Sequence, residues 1–238
     1  MTLLSVNINK IALIRNSRGS DKPNLLTVAQ NCINFGAQGI TVHPRPDQRH
    51  IKYSDLDVLK QNINVPLNVE GYPDEVFMNY VIEVQPKMVT LVPDKPDALT
   101  SSNGWDTITA QKKLINVCTQ LANKGISTSI FIDPVEKMAI AAKDCGADYV
   151  ELYTEFYANA FETGNEIEVI GRYIKTTESA LKLGLKVNAG HDLNSHNLKF
   201  LKKNIPDLSE VSIGHALVID ALYLGLESTI KKYLECLN

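Results

Sequence analysis

Short apolar runs and helical patterns alternate along this chain from one end to the other. The runs are Leu3–Ile8, Gly39–His43, Pro66–Glu70, Met88–Val92, Ser127–Asp133, Tyr149–Tyr153, Leu185–Ala189 and Glu210–Ile213. Most read as near-continuous apolar runs of four to seven residues, the pattern expected of parallel strands covered on both faces. Between them lie stretches of 3.6-residue rhythm, clearest over Asp106–Asn123, where Leu114, Val117, Cys118, Leu121 and Ala122 share one helical face. Gly36, Gly125, Gly146 and Gly184 each close a helical stretch just before a strand, where glycine ends a helix in the left-handed conformation. The pattern predicts eight strands and eight helices in βα units of about 30 residues. In an α/β chain near 250 residues that is the signature of a closed (β/α)8 TIM barrel. A single domain over residues 1–238 accounts for the whole length, since no linker divides it. An open doubly wound sheet is the alternative. It usually carries a glycine-rich turn after its first strand, whereas here the first strand leads into Asn7-Ile8-Asn9-Lys10.

Charge and composition narrow the classes of partner. With 24 Lys plus Arg against 27 Asp plus Glu, the net charge is −3, which argues against nucleic acid as a partner. No apolar stretch reaches the roughly 20 residues of a membrane span; the densest, Ala216–Leu226, is interrupted by Asp220. The apolar start is too short for a signal-peptide core, so the expected location is cytoplasmic. Cys32, Cys118, Cys145 and Cys236 are widely spaced and read as thiols in a reducing compartment, the first three buried in helical patterns.

In a barrel of this kind, chemistry gathers at the C-terminal strand ends. Those positions hold Asn7, Asn9 and Lys10; His43, Arg45, Arg49 and His50; Asn68 and Glu70; Asp133; Glu151; Asn188, Gly190 and His191; and Gly214 and His215. The loop after the first strand adds Arg15 and Arg18, and the loop after the fourth adds Thr100. Four of the five histidines therefore fall on one rim, and His196 reads as helical. Histidines and carboxylates of raised pKa supply acid–base catalysis near neutral pH. Glu70 and Glu151 would be costly to bury without a partner; an internal ion pair with Lys186 or Arg172 is their structural alternative. Arg45, Arg49 and His50 form a cationic loop. Gly190 and Gly214 stand where many barrels bind phosphate on backbone N–H groups. Two anion sites suit two phosphorylated ligands, or one ligand with a phosphate at each end.

Several blocks together resemble the pyridoxine 5′-phosphate synthase family. They are Val6–Ala12, Arg15–Gly19, Gly39–Asp47 with Arg49-His50-Ile51, Asn68-Val69-Glu70, Leu91-Val92-Pro93, Lys186–His191 and Ile213–Ala216, in order from residue 3 to about 225. The resemblance implies a TIM barrel that joins 3-amino-2-oxopropyl phosphate to 1-deoxy-D-xylulose 5-phosphate, releasing pyridoxine 5′-phosphate, phosphate and water. It also implies a homo-octamer with neither metal nor organic cofactor. By motif position, His43 and Glu70 would accept protons, His191 would donate one, and Glu151 would stabilise charge. Asn9, Lys10, Arg45, His50 and Thr100 would hold the deoxyxylulose phosphate. Asn7, Arg18, Asp192, Gly214 and His215 would hold the amino-ketone phosphate.

Two positions depart from the family pattern. Asn9-Lys10 stands where many members carry Asp-His, and Asp192 stands where glycine is common. A carboxylate at 192 should repel a phosphate, so Asp192 is expected to face the substrate ammonium or solvent. Two other readings fit the same rim. One is a metal-dependent phosphosugar epimerase using His43, Glu70, Glu151 and His191; the other is a barrel that binds phosphates without turnover. An imine-forming aldolase is disfavoured, because no lysine lies in strand five or six.

Overall fold

A computed structural model describes residues 1–94 and 101–238 of the chain. Eight parallel strands close into a barrel in sequence order. They are β1 (Leu3–Asn7), β2 (Gly39–Val42), β3 (Leu67–Gly71), β4 (Met88–Leu91), β5 (Ser127–Ile132), β6 (Tyr149–Tyr153), β7 (Lys186–Gly190) and β8 (Glu210–Ile213). β8 returns beside β1, with Leu3 next to Glu210 and Val6 next to Ile213. Each strand end lies within one residue of the expected run.

The helices differ more from expectation. Among the described residues they are α1 (Asn9–Asn16), α2 (Leu25–Asn34), α3 (Tyr53–Asn62), α4 (Glu75–Val84), α5 (Gln111–Ala122), α6 (Glu136–Asp144), α7 (Glu155–Glu162), α8 (Glu166–Lys182), α9 (Leu198–Asn204), α10 (His215–Leu224) and α11 (Leu226–Leu237). That is more than eight, for a physical reason. Gly164 and Gly225 take φ of 74° and 78°, left-handed values that stop a helix, so the segments after β6 and β8 each split in two. α1 occupies what reads as the loop after β1, and it carries Arg15. The guanidinium of Arg15 grips Asp55 at 2.7 and 2.9 Å and donates to the His50 carbonyl. Arg15 therefore braces the second loop against the first. His196 lies in a turn before α9 rather than in a helix.

The main core lies between barrel and helices, where Leu4, Val6, Ile40, Val42, Val69, Val89 and Leu91 are essentially inaccessible. The axis of the barrel is different and carries polar side chains. Contacts between non-neighbouring strands identify the inward side chains: Thr90 to Glu151 at 3.4 Å and Asn188 to Met88 at 3.8 Å. Ser5 meets Thr41 at 2.7 Å, and Thr90 donates to Asn68 at 3.1 Å. Asn68 Nδ2, Ser129 Oγ and Asn188 Oδ1 have no protein partner; buried polar atoms so placed take internal water.

Glu210 belongs to this interior, and Gly39 makes room for it. A Cβ on Gly39 would lie 2.9 Å from Ser5 Oγ and 3.3 Å from Glu210 Oε2. Burial, then the Glu151 charge, pushes the Glu210 carboxyl up to about 8. The folded chain thus binds a proton at Glu210 that the unfolded chain has released. Its contribution to stability is fully present below an ordinary carboxyl pKa and is lost as pH rises to about 8. Glu210→Gln is expected to raise the melting temperature near pH 8 by a few degrees and to change it little near pH 5. Equal shifts at both pH values would contradict this.

Candidate active site

The C-terminal strand ends surround a cavity of about 370 Å³. His43, Glu70, Glu151 and His191 all line it. So do Asn7, Asn9, Lys10, Arg45, His50, Asp192, Gly214 and His215. Arg18 does not; it sits exposed in the turn after α1. Thr100 lies outside the described residues. Among neighbours that sequence reading passed over, Ser101, Phe131, Glu155 and Ser212 also line the cavity. Glu155 was findable, since it follows the end of β6 by two residues.

Two amides lock the first three strand ends together. Asn7 Oδ1 accepts the Asn9 N–H at 3.1 Å, and Asn9 Oδ1 accepts the His43 N–H at 2.8 Å. Asn7 Nδ2 donates to Glu70 Oε2 at 3.4 Å. His43 Nδ1 stands 3.8 Å from that same oxygen, beyond hydrogen-bond length. Burial, then the positive charges of Arg45, His50 and Arg49, hold the His43 pKa well below its ordinary value. At neutral pH its ring is uncharged and able to accept a proton.

The second loop brings Arg45 and His50 to one end of the cavity. Burial and the charges of Arg45, Arg49 and Lys10 bring His50 down to about 4. Its Nδ1 accepts the Ile51 N–H at 3.0 Å, so in the neutral ring Nε2 carries the proton and can donate. Arg45 is buried and donates to Asp94 at 2.8 Å, where Ser101 Oγ also donates at 2.8 Å. Lys10 adds a cation at the start of α1. Across the cavity, Gly214, His215 and Ala216 form the N-terminus of α10, whose unpaired N–H groups attract anions.

Glu70 and Glu151 are acids of raised pKa. Burial lifts Glu70 well above the ordinary carboxylate range, helped by the charges of Glu151 and Asp94 and opposed by Arg45. Burial likewise raises Glu151 to about 7, moderated by the Thr90 hydrogen bond and the His191 charge. The ion pairs available on sequence grounds are not formed. Lys186 donates to Tyr149 Oη at 3.2 Å and Arg172 lies over the Phe156 ring. Gly190 answers to Glu151 as well, because a Cβ there would fall 2.3 Å from Glu151 Oε1. It clears space for a carboxylate and does not line the cavity.

His191 and Asp192 follow β7 with φ of 87° and 58°. The turn is pinned from both sides. Thr154 Oγ1 donates to the carbonyls of Gly190 and His191, and Asn197 Nδ2 donates to that of Asp192. The Tyr153 ring meets His191 edge-on at 4.9 Å. Asp192 Oδ2 comes within 3.2 Å of His191 Nδ1, so the carboxylate turns toward its neighbour's ring. For the metal reading, no three of His43, Glu70, Glu151 and His191 bring ligand atoms within 4.8 Å of one another. Among the described residues that closeness is reached by Glu155, His191 and Asp192, where His191 Nδ1 is already engaged by Asp192.

Comparison with known proteins gives the family. Residues 4–238 match the family described as "Pyridoxal phosphate biosynthesis protein PdxJ". The chain belongs to this family. PdxJ-family relatives named pyridoxine 5′-phosphate synthase include a protein of Christiangramia forsetii, 53% identical over 238 residues and covering 100% of both chains. One of Cytophaga hutchinsonii is 54% identical over 234 residues, covering 98% of each. Among solved structures, 3-keto-L-gulonate-6-phosphate decarboxylase from Vibrio cholerae superposes on this PdxJ-family chain with TM-score 0.67 at 11% identity, over 99% of this chain and 97% of that one. That likeness is one of fold. Among the described residues no helix is long and apolar enough to cross a membrane.

Proposed function

We propose that this chain is a pyridoxine 5′-phosphate synthase, an enzyme of vitamin B6 biosynthesis, acting as one catalytic domain. It joins 3-amino-2-oxopropyl phosphate to 1-deoxy-D-xylulose 5-phosphate and releases phosphate and water. The observation that carries the reading is the gathering of four acid–base groups, His43, Glu70, Glu151 and His191, around one cavity that Lys10, Arg45 and His50 line at one end and the start of α10 at the other. The chemistry asks for that set. An amine condenses with a ketone, water and phosphate depart, and a carbon–carbon bond closes the pyridine ring. Protons move at every stage, and no stage is a net oxidation.

The roles are those the family resemblance implies, and the lowered His43 and raised Glu70 and Glu151 pKa values support their parts in them. Neutral His43 and the carboxylate form of Glu70 accept protons, His191 donates, and Glu151 stabilises positive charge on the reacting nitrogen. Lys10, Arg45 and His50 hold the deoxyxylulose phosphate, with Asn9 setting the strand ends beneath it. The N-terminus of α10, with Asn7 and His215, holds the amino-ketone phosphate. The two phosphate handles keep the reacting atoms close, which lowers the barrier by positioning. Purified protein mixed with both phosphates in the presence of a chelator is expected to yield pyridoxine 5′-phosphate and phosphate together. Absence of both products would overturn the proposal, and activity appearing only with added zinc or iron would favour the epimerase.

An oligomer, an octamer by family resemblance, is the proposed assembly. The exposure of Leu222 and Tyr223 on α10, at 74% and 84%, supports a covered face there. Light-scattering mass in solution tests it, and a monomeric mass would refute it.

A further inference from the structure

The reaction proposed above asks His191 to donate a proton, and a neutral imidazole is a poor donor. The residue that follows bears on this. Asp192 occupies a left-handed backbone position, φ 58°, of the kind glycine takes without strain, so the turn itself does not require a side chain there. Asp tolerates that conformation better than most residues, and its carboxylate reaches back to the ring of the preceding residue at 3.2 Å. Thr154 and Asn197 hold the two carbonyls of this turn, so the pairing is set by a pinned backbone rather than by a swinging side chain.

We infer that Asp192 is a positioning residue for the proposed reaction: its carboxylate engages Nδ1 of His191, fixes the ring's orientation and favours the charged form from which Nε2 gives up its proton. A carboxylate that orients a histidine does this in many active sites. The charge on Asp192 persists, because the His191 hydrogen bond holds its carboxyl below the ordinary range against partial burial, with further help from the charges of His191 and His215. Among the described residues, groups that also face His191 include Glu151 and Tyr153 from β6 and Glu155 from α7. Glu151 and Glu155 are carboxyl groups that reinforce the same charged state when ionised. Asp192 differs from them in touching the ring nitrogen directly. In this chain the residue next to the donor has thus become part of the acid rather than a bare phosphate-facing turn. Near a phosphate it would otherwise be a liability.

The test uses the full chain as wild type, Asp192→Asn and Asp192→Gly. The His191 ring is titrated by NMR without substrate, its signal assigned by loss in His191→Gln. The His191 signal is expected to titrate at lower pH in both variants than in wild type, the direction that loss of a neighbouring opposite charge gives. The basic limb of the kcat–pH profile should move down with it. At a pH above both midpoints kcat should drop about tenfold for each pH unit that the limb moves, while KM for the amino-ketone phosphate does not rise. A His191 titration unmoved in both variants overturns the pairing. A titration that moves while the kcat limb stays fixed overturns its role in donation. A wild-type protein without turnover removes the functional reading itself, which the substrate-free titration leaves distinguishable.

Discussion

Replacing Glu70 with Gln is expected to cut kcat by roughly 10²–10⁴, the range for losing a general base, while the protein remains folded. The side chain keeps its size, and its carbonyl oxygen can still accept from Asn7 Nδ2. What it loses is the capacity to take a proton. Removing a buried carboxyl whose pKa is raised by burial and by neighbouring carboxylates also removes a charge that is costly to ionise, so stability should hold or rise at neutral pH. KM for either phosphate should change little, because the phosphates bind at the two ends of the cavity. The pH profile carries the same signature. Glu70 and Glu151 interact, and both titrate above the ordinary carboxylate range, so activity should climb with pH above that range. His43 contributes nothing to that limb, since its neutral form already prevails well below it. An acid limb centred near pH 4–5, the ordinary carboxylate range, or a Glu70→Gln variant that turns over within a few-fold of wild type, would take Glu70 out of the base role.

The parts of this molecule that sequence exposes are those fixed by local physics. Parallel strands packed under helices need apolar residues on their outer face, so Ile40 and Val42 or Val89 and Leu91 mark β2 and β4 without reference to the rest of the chain. The strand-end rule then collects Asn7, His43, Glu70, Glu151 and His191 at one rim. Features that depend on a partner distant in sequence were not legible. Gly190 reads as a phosphate-binding glycine until Glu151, on the neighbouring strand, is seen to fill the space beside it. The polar axis depends in the same way on pairs such as Thr90 with Asn68 and Ser5 with Thr41, whose members lie on different strands. Asp192 reads as an intruder beside a phosphate, and only the two positive φ values in succession turn it onto His191. Arg18 shows the limit in the other direction. Its motif position is recognisable, but the path of the turn after α1 leaves it exposed and outside the cavity lining.

The sharpest test of how the fold sets the site is Gly190→Ala. Gly190 pairs with Tyr153 and Ser212 in adjacent strands, and its backbone takes no left-handed conformation that would exclude alanine. The added methyl meets an obstacle of another kind, Glu151 Oε1 at 2.3 Å, with the Ser212 carbonyl at 3.5 Å. Either the carboxylate leaves its place, breaking its contact with Thr90 Oγ1, or β7 shifts. A shift of β7 would carry His191 with it, since that residue follows the strand directly. Both responses disturb the acid–base set, and a misplacement of about 1 Å at reacting groups costs on the order of 10²-fold in rate. Overpacking should also lower stability by about 1–3 kcal/mol. The double variant Glu151→Ala/Gly190→Ala separates steric conflict from loss of the carboxylate. With the obstructing side chain gone, the Gly190→Ala step should cost little further stability, giving a coupling energy between the two positions. Turnover should stay low in the double variant, because Glu151 is absent. If Gly190→Ala costs the same stability with and without Glu151, the glycine is serving the strand itself and the space it leaves has nothing to do with the carboxylate.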